Sequence, residues 1–185
     1  MRSSTRAAAA AAALIVALVP SARAQAGGVI ADLIKDVAQA EQKLVGLAKA
    51  MPESTWTWRP GTGVRTVGEV FQHVAADNYF LPTAVGVAAP ASTGIKAGDY
   101  KATQAFESRK ATRDEAISDL ERSLAHLKQA MQQTTAANLN ESLTIFGMTM
   151  TRQQYWILAT THLHEHLGQA IAYARSNGVV PPWSR

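Results

Sequence analysis

Apolar residues recur with the period of an α-helix in four separate stretches of this chain. In residues 29–51 they are Ile30, Leu33, Ile34, Val37, Leu44, Val45, Leu47 and Ala48, with Lys, Asp, Glu and Gln between them. Side chains three and four apart share one helix face, so this stretch predicts a helix with one packed and one polar side, ended by Pro52. A second stretch, from Thr66 to about Leu81, carries Val67, Val70, Phe71 and Val74 on its packed face. A third, from Thr112 to about Gln133, has Ile117, Leu120, Leu124, Leu127 and Met131 in line. The fourth, 151–176, packs Trp156, Leu163, Leu167, Ala170 and Ala174.

Three of these stretches open on the same local signal. Thr66 and Glu69, Thr112 and Glu115, and Thr151 and Gln154 are each spaced as capping boxes, in which each side chain satisfies the other residue's backbone N–H. Gly178 is a natural cap for the end of the fourth helix, and Pro181-Pro182 prevents continuation. Trp56 and Trp58, in the loop after the first helix, are expected to pack over one end of the core. Residues 143–150 are β-prone around Gly147 and predict a short hairpin or extended arm. Residues 83–111 are irregular, punctuated by Gly86, Pro90, Gly94 and Gly98, and long for a connection; they predict a crossover or a lid. Four amphipathic helices joined by loops of unequal length make an all-α four-helix bundle, a fold that builds metal sites from side chains on facing helices.

The front of the chain is different. A basic segment, an unbroken apolar run over 7–19 and an Ala-x-Ala site ending at Ala24 have the layout of a secretory signal peptide. The run is too short to span a bilayer comfortably, so residues 1–24 are expected to be a cleaved leader and 25–185 the domain. The alternatives are cleavage two residues later or an uncleaved anchor. The expected address is periplasmic or extracellular, with no transmembrane helix after cleavage. Cleavage removes Arg2, Arg6 and Arg23 and no acid, leaving 15 basic against 14 acidic residues. No dense basic patch remains, so no nucleic acid is expected as a partner. The absence of cysteine excludes disulfides, thiolate metal ligands and a cysteine nucleophile.

Candidate chemistry concentrates in the fourth helix. His162 and His166 lie four apart, and Gln169 and Tyr173 extend their stripe. Two imidazoles at the edge of a packing face are costly to bury unless something binds them, and a metal ion is the usual partner. In the second helix, His73 flanks the packed face with Asp77 one turn on. Asp77 either orients His73 from outside a metal site or is a solvated acid; Gln169 either supports the site or hydrogen-bonds within the core. Glu69 reads as a cap and His126 as a surface histidine, and His164 points away from the pair. His162-Leu-His-Glu-His166 also matches an inverted zinc-protease signature with Glu165 as base. Those enzymes need a further ligand downstream, and the 19 residues after His166 offer none.

Taken together, Glu69-Val-Phe-Gln-His73, His162-x-x-x-His166-x-x-Gln169, the Trp56-Thr-Trp58 segment and the closing Tyr173 to Trp183 segment resemble the DinB-like superfamily of metal-binding bundles. The resemblance covers essentially the whole chain after the leader. It implies an up-down-down-up bundle in which the long segment between the second and third helices is the crossover. It also implies a three-histidine site of His73, His162 and His166 holding a divalent ion, with zinc, nickel, iron and manganese all suited. Three imidazoles leave a coordination position open, as catalytic sites do. Superfamily members include thiol-dependent transferases and isomerases, so an S-transferase or hydrolase acting on a small molecule is one expectation. The exported address argues against the thiol version. A non-catalytic module binding metal or a small ligand, and a bundle with vestigial histidines, are the others. Some superfamily members pair, which leaves a homodimer open.

Overall fold

The computed structural model describes residues 22–184. The leader expected over 1–24 falls, but for its last three residues, outside them. Among the described residues, five α-helices and one hairpin make up the fold: α1 (Ala22–Ala50), α2 (Val67–Phe80), α3 (Tyr100–Glu107), α4 (Arg113–Gln132), β1 (Ser142–Ile145), β2 (Met148–Thr151) and α5 (Arg152–Ser176). The chain is all-α, as expected, and α1, α2, α4 and α5 form the bundle. No helix among the described residues is long and apolar enough to cross a membrane.

Cross-helix contacts give the direction of each helix. Lys49 reaches Glu121 at 2.6 Å and Lys128 pairs with Glu41, so α1 and α4 run antiparallel. The Gln72 amide donates to the Arg109 carbonyl at 3.1 Å, and Asn78 donates to Ser123 at 3.2 Å, so α2 and α4 run parallel. Asp36 meets His164 at 3.0 Å, and Lys43 lies over the Trp183 ring beyond α5, so α1 and α5 are parallel. His73 lies beside His166, and the Tyr155 hydroxyl donates to the Leu81 carbonyl at 2.7 Å, so α2 and α5 are antiparallel. In chain order the bundle runs up, down, down, up.

All three capping boxes form, with both reciprocal bonds present. α5 closes as a Schellman motif: the Gly178 N–H donates to the Arg175 carbonyl, the Val179 N–H to that of Ala174, and Gly178 has a φ of 72°. The stripes read from the sequence pack where they should. Leu44, Leu47, Phe71, Leu120, Leu124, Leu127, Met131, Trp156 and Leu163 are fully buried. Trp56 stacks at a tilt on Phe71 and Trp58 meets Tyr173 edge to face, closing one end of the core. The 143–150 segment is an antiparallel hairpin pairing Ile145 with Met148 across Phe146 and Gly147. Both turn residues have positive φ, as the tightest hairpin turn requires.

Three expectations need correction. α1 starts seven residues before Val29, because the Ala-rich run ahead of it favours helix without an apolar stripe to announce it. The 83–111 segment is a crossover, as parallel α2 and α4 require, but it is not irregular throughout: it contains α3, capped by Asp99 and held down by Phe106 and Thr103. His126 is not a plain surface residue. Its Nε2 is buried without a hydrogen-bond partner, its ring lies 5.6 Å from that of Tyr79, and burial lowers its pKa.

Candidate metal centre

Helical spacing places His73 and Asp77 on one face of α2, and His162, His166 and Gln169 on the facing stripe of α5. Because α2 and α5 are antiparallel, the two stripes oppose each other in register. The three imidazole rings lie 4.4, 4.5 and 5.3 Å apart between centroids. One nitrogen from each lies within 4.8 Å of the others, a grouping that could hold a metal ion. His73 and His166 are buried, with His162 at the rim.

The outer nitrogens show how the rings are held. His73 Nδ1 lies 3.0 Å from Glu107 Oε2 and 3.2 Å from Arg65 Nη2. A carboxylate cannot face an imidazole lone pair that closely, so Nδ1 carries the proton and donates to Glu107. Arg65 Nε donates to the other Glu107 oxygen at 2.6 Å. Burial opposes ionisation of Glu107, but the hydrogen bonds from His73 and Arg65 outweigh it and bring its pKa down to about 2. On the other side, His166 Nδ1 donates to Gln169 Oε1 at 2.9 Å, and the Gln169 amide donates onward to the Tyr173 hydroxyl at 3.1 Å. That second bond fixes which end of Gln169 faces the histidine. Burial, reinforced by the neighbouring His162 and His73, lowers His166 to about 4 despite the Gln169 bond, so its ring is neutral at neutral pH.

With Nδ1 protonated on His73 and His166, their Nε2 atoms are lone pairs. His166 Nε2 lies 3.1 Å from His162 Nε2. Two of the three rings thus have the arrangement a metal site requires, an outer acceptor setting the tautomer and the free nitrogen turned inward, while His162 Nδ1 is buried with no partner among the described residues. Three donors, none of them a thiolate, suit a borderline divalent ion such as zinc, nickel, iron or manganese.

The structure brings His73, His162 and His166 together, and His164, expected outside the site, is half-exposed against Asp36. Glu69 is a cap: its carboxylate accepts from the Thr66 N–H at 2.7 Å. Gln169 bridges His166 and Tyr173 by hydrogen bonds. Asp77 is neither solvated nor behind His73. It is mostly buried, and its Oδ2 lies 3.5 Å from His73 Nε2 and 3.2 Å from His162 Nε2, on the inner side of the rings. The carboxylate behind His73 is Glu107, which sequence reasoning missed along with Arg65. A cavity of about 290 Å³ lined by Arg65, Tyr100, Gln104 and Glu107 adjoins this side. Burial and the charges of Asp77 and Glu107 raise the Tyr100 phenol.

Fold and centre together define a class: an up-down-down-up helical bundle with a three-histidine cluster between its second and last helices. The sequence profile of the DinB superfamily matches residues 36–170, and the chain belongs to that superfamily. The fold is similar to that of a DinB-like protein from Bacillus cereus, at 14% identity and a TM-score of 0.66, over 81% of this chain and 93% of that one. It is also similar to a DinB-like protein from Bacillus subtilis, at 15% identity and a TM-score of 0.61, over 80% and 93%. No curated protein matches the chain.

Proposed function

We propose that this chain is exported and binds one divalent metal ion through the Nε2 atoms of His73, His162 and His166, serving as a metal-dependent transferase or hydrolase of a small molecule. One observation carries the metal reading: two Nδ1–H groups are claimed by Glu107 and Gln169, which turns the Nε2 lone pairs inward around one point. Glu107 holds the His73 ring and Arg65 holds Glu107. Gln169 and Tyr173 do the same for His166. The bound ion would supply a Lewis acid. Export argues for a hydrolase over a thiol transferase, since low-molecular-weight thiols are chiefly intracellular.

One observation favours a second reading, a non-catalytic metal-binding module of the cell envelope. The carboxylate on the inner side of the rings, Asp77, lies against the ligand nitrogens themselves instead of at a distance suited to a general base.

The test is elemental analysis of the mature protein, purified from the periplasm without chelators or a polyhistidine tag, beside His73→Ala and His162→Ala. About one metal per chain in the wild type, lost in both variants, supports the site. Metal-dependent turnover in ester, amide and thiol-conjugation screens, abolished in His162→Ala, supports the enzyme; metal without turnover favours the module. A metal-free wild type that also fails to reload defeats both.

A further inference from the structure

We infer that Asp77 is a fourth protein ligand of this centre, bonding the ion directly through Oδ2. The inference rests on the three-histidine reading and extends it, since an acid outside the ligand sphere would meet an Nδ1–H.

The proton count carries the argument. Glu107 and Gln169 fix the protons of His73 and His166 on Nδ1, so both Nε2 atoms are acceptors. Asp77 Oδ2 is a third acceptor beside two of these rings, 3.5 Å from His73 Nε2 and 3.2 Å from His162 Nε2. A histidine that binds a metal ion is neutral, and with His73 in that state the only N–H these rings could offer there is on His162 Nε2. It would have to serve His166 at 3.1 Å and Asp77 at 3.2 Å together, leaving His73 Nε2 facing a carboxylate with nothing between them. The other Asp77 oxygen is buried without a partner among the described residues, so none of their donors offsets its charge from behind. Buried lone pairs and a buried carboxylate around one point are balanced by a cation.

The spacings agree. Four donors at ~2.0–2.1 Å from a zinc-sized ion stand about 3.3 Å from one another. Three of the six donor pairs, His162–His166, His162–Asp77 and His73–Asp77, stand at 3.1, 3.2 and 3.5 Å, and the set whose members all lie within 4.8 Å of one another is the three histidines, so Asp77 joins from the His73 and His162 side. Asp77 is also placed for the role by the backbone: it follows His73 by one helical turn, so both side chains project from one face of α2. The consequence for chemistry is direct. Three histidines and one aspartate fully enclose a four-coordinate ion. Space for a substrate or water then exists only on an ion that takes five or six donors.

The experiment is titration of the metal-free protein with Co²⁺, comparing wild type, Asp77→Asn, Asp77→Ala and His162→Ala. Visible ligand-field bands report number and kind of donors, and circular dichroism checks the fold. Loss of a ligand is expected to weaken Co²⁺ binding by more than ~100-fold and to change the bands, whereas loss of an outer partner weakens it by about 10–100-fold. Unchanged bands in both Asp77 variants overturn the inference, whatever the affinity. X-ray absorption of the loaded wild type needs no substitution: three imidazoles with one carboxylate support the assignment, and three imidazoles without one overturn it. If the wild type and His162→Ala both fail to bind Co²⁺, the three-histidine reading itself has failed.

Discussion

Removing the Glu107 carboxylate while leaving every metal-facing nitrogen in place tests how the centre is built. Glu107 accepts from His73 Nδ1 at 3.0 Å and from Arg65 at 2.6 Å, with 16% of its side chain exposed. In Glu107→Ala the His73 N–H loses its acceptor in a mostly buried place, at a cost of about 1–3 kcal/mol. The ring is then free to rotate or to move its proton to Nε2, where it blocks the lone pair. At ~1.4 kcal/mol per factor of ten, that cost corresponds to roughly 5–150-fold weaker metal binding. The range agrees with the ~10–100-fold seen when outer partners of metal-bound histidines are lost. Glu107→Gln keeps an oxygen for His73 but gives up the charge and the strong Arg65 pair, so its loss should be about tenfold or less. The assay is competition for Zn²⁺ against a chromophoric chelator, with circular dichroism confirming that the helices are intact. Equal affinity in wild type and Glu107→Ala, with the fold unchanged, would show that the carboxylate does not hold the ring and that the tautomer assigned to His73 is wrong.

Other consequences follow from the same packing. Chelating the bound metal should lower the melting temperature: an ion present at about 100 times its Kd stabilises by ~2.7 kcal/mol, or roughly 5–11 °C in a domain of this size, and scanning calorimetry with and without chelator checks it. Burial lowers the pKa of His126, so the unfolded chain takes up a proton that the folded ring resists. The metal-free protein should therefore lose stability as pH falls through the ordinary imidazole range near 6.5. His126→Gln should make that fall less steep, the rest coming from His166, whose pKa burial also lowers, and leave the profile unchanged above about pH 7.5, as urea unfolding from about pH 8 to 5 would reveal. Trp156 Nε1 donates to Thr134 Oγ1 at 2.7 Å within the core, so Thr134→Val should cost about 1–3 kcal/mol in the same assay by leaving the indole N–H without a partner.

The histidine cluster was legible in the sequence because α2 and α5 are long helices, and helical spacing fixes which residues share a face. The same spacing put Asp77 beside His73. It could not say which ring nitrogen the acid meets, because that depends on the gap between two helices far apart in the chain. Glu107 and Arg65 were not legible. Glu107 closes an eight-residue helix that buries only Thr103 and Phe106, too few positions to set up a periodic signal. His126 misled for a related reason: its place off the apolar stripe of α4 is real, but Tyr79 lies across from it, and Pro90 and Phe106 of the crossover line the cavity beside it. Topology explains why the crossover matters so much. After α2 descends from Val67 to Phe80, α4 must start again at the Val67 end, because the two run parallel. The connection therefore has to climb back along α2, and α3 is the last part of that climb. Its final residue arrives beside the first turns of α2, where His73 stands. An up-down-up-down bundle could turn directly from one helix into the next and would carry no such segment. The carboxylate behind His73 thus follows from the path that this topology imposes on the chain, and its position becomes readable once the directions of α2 and α4 are known.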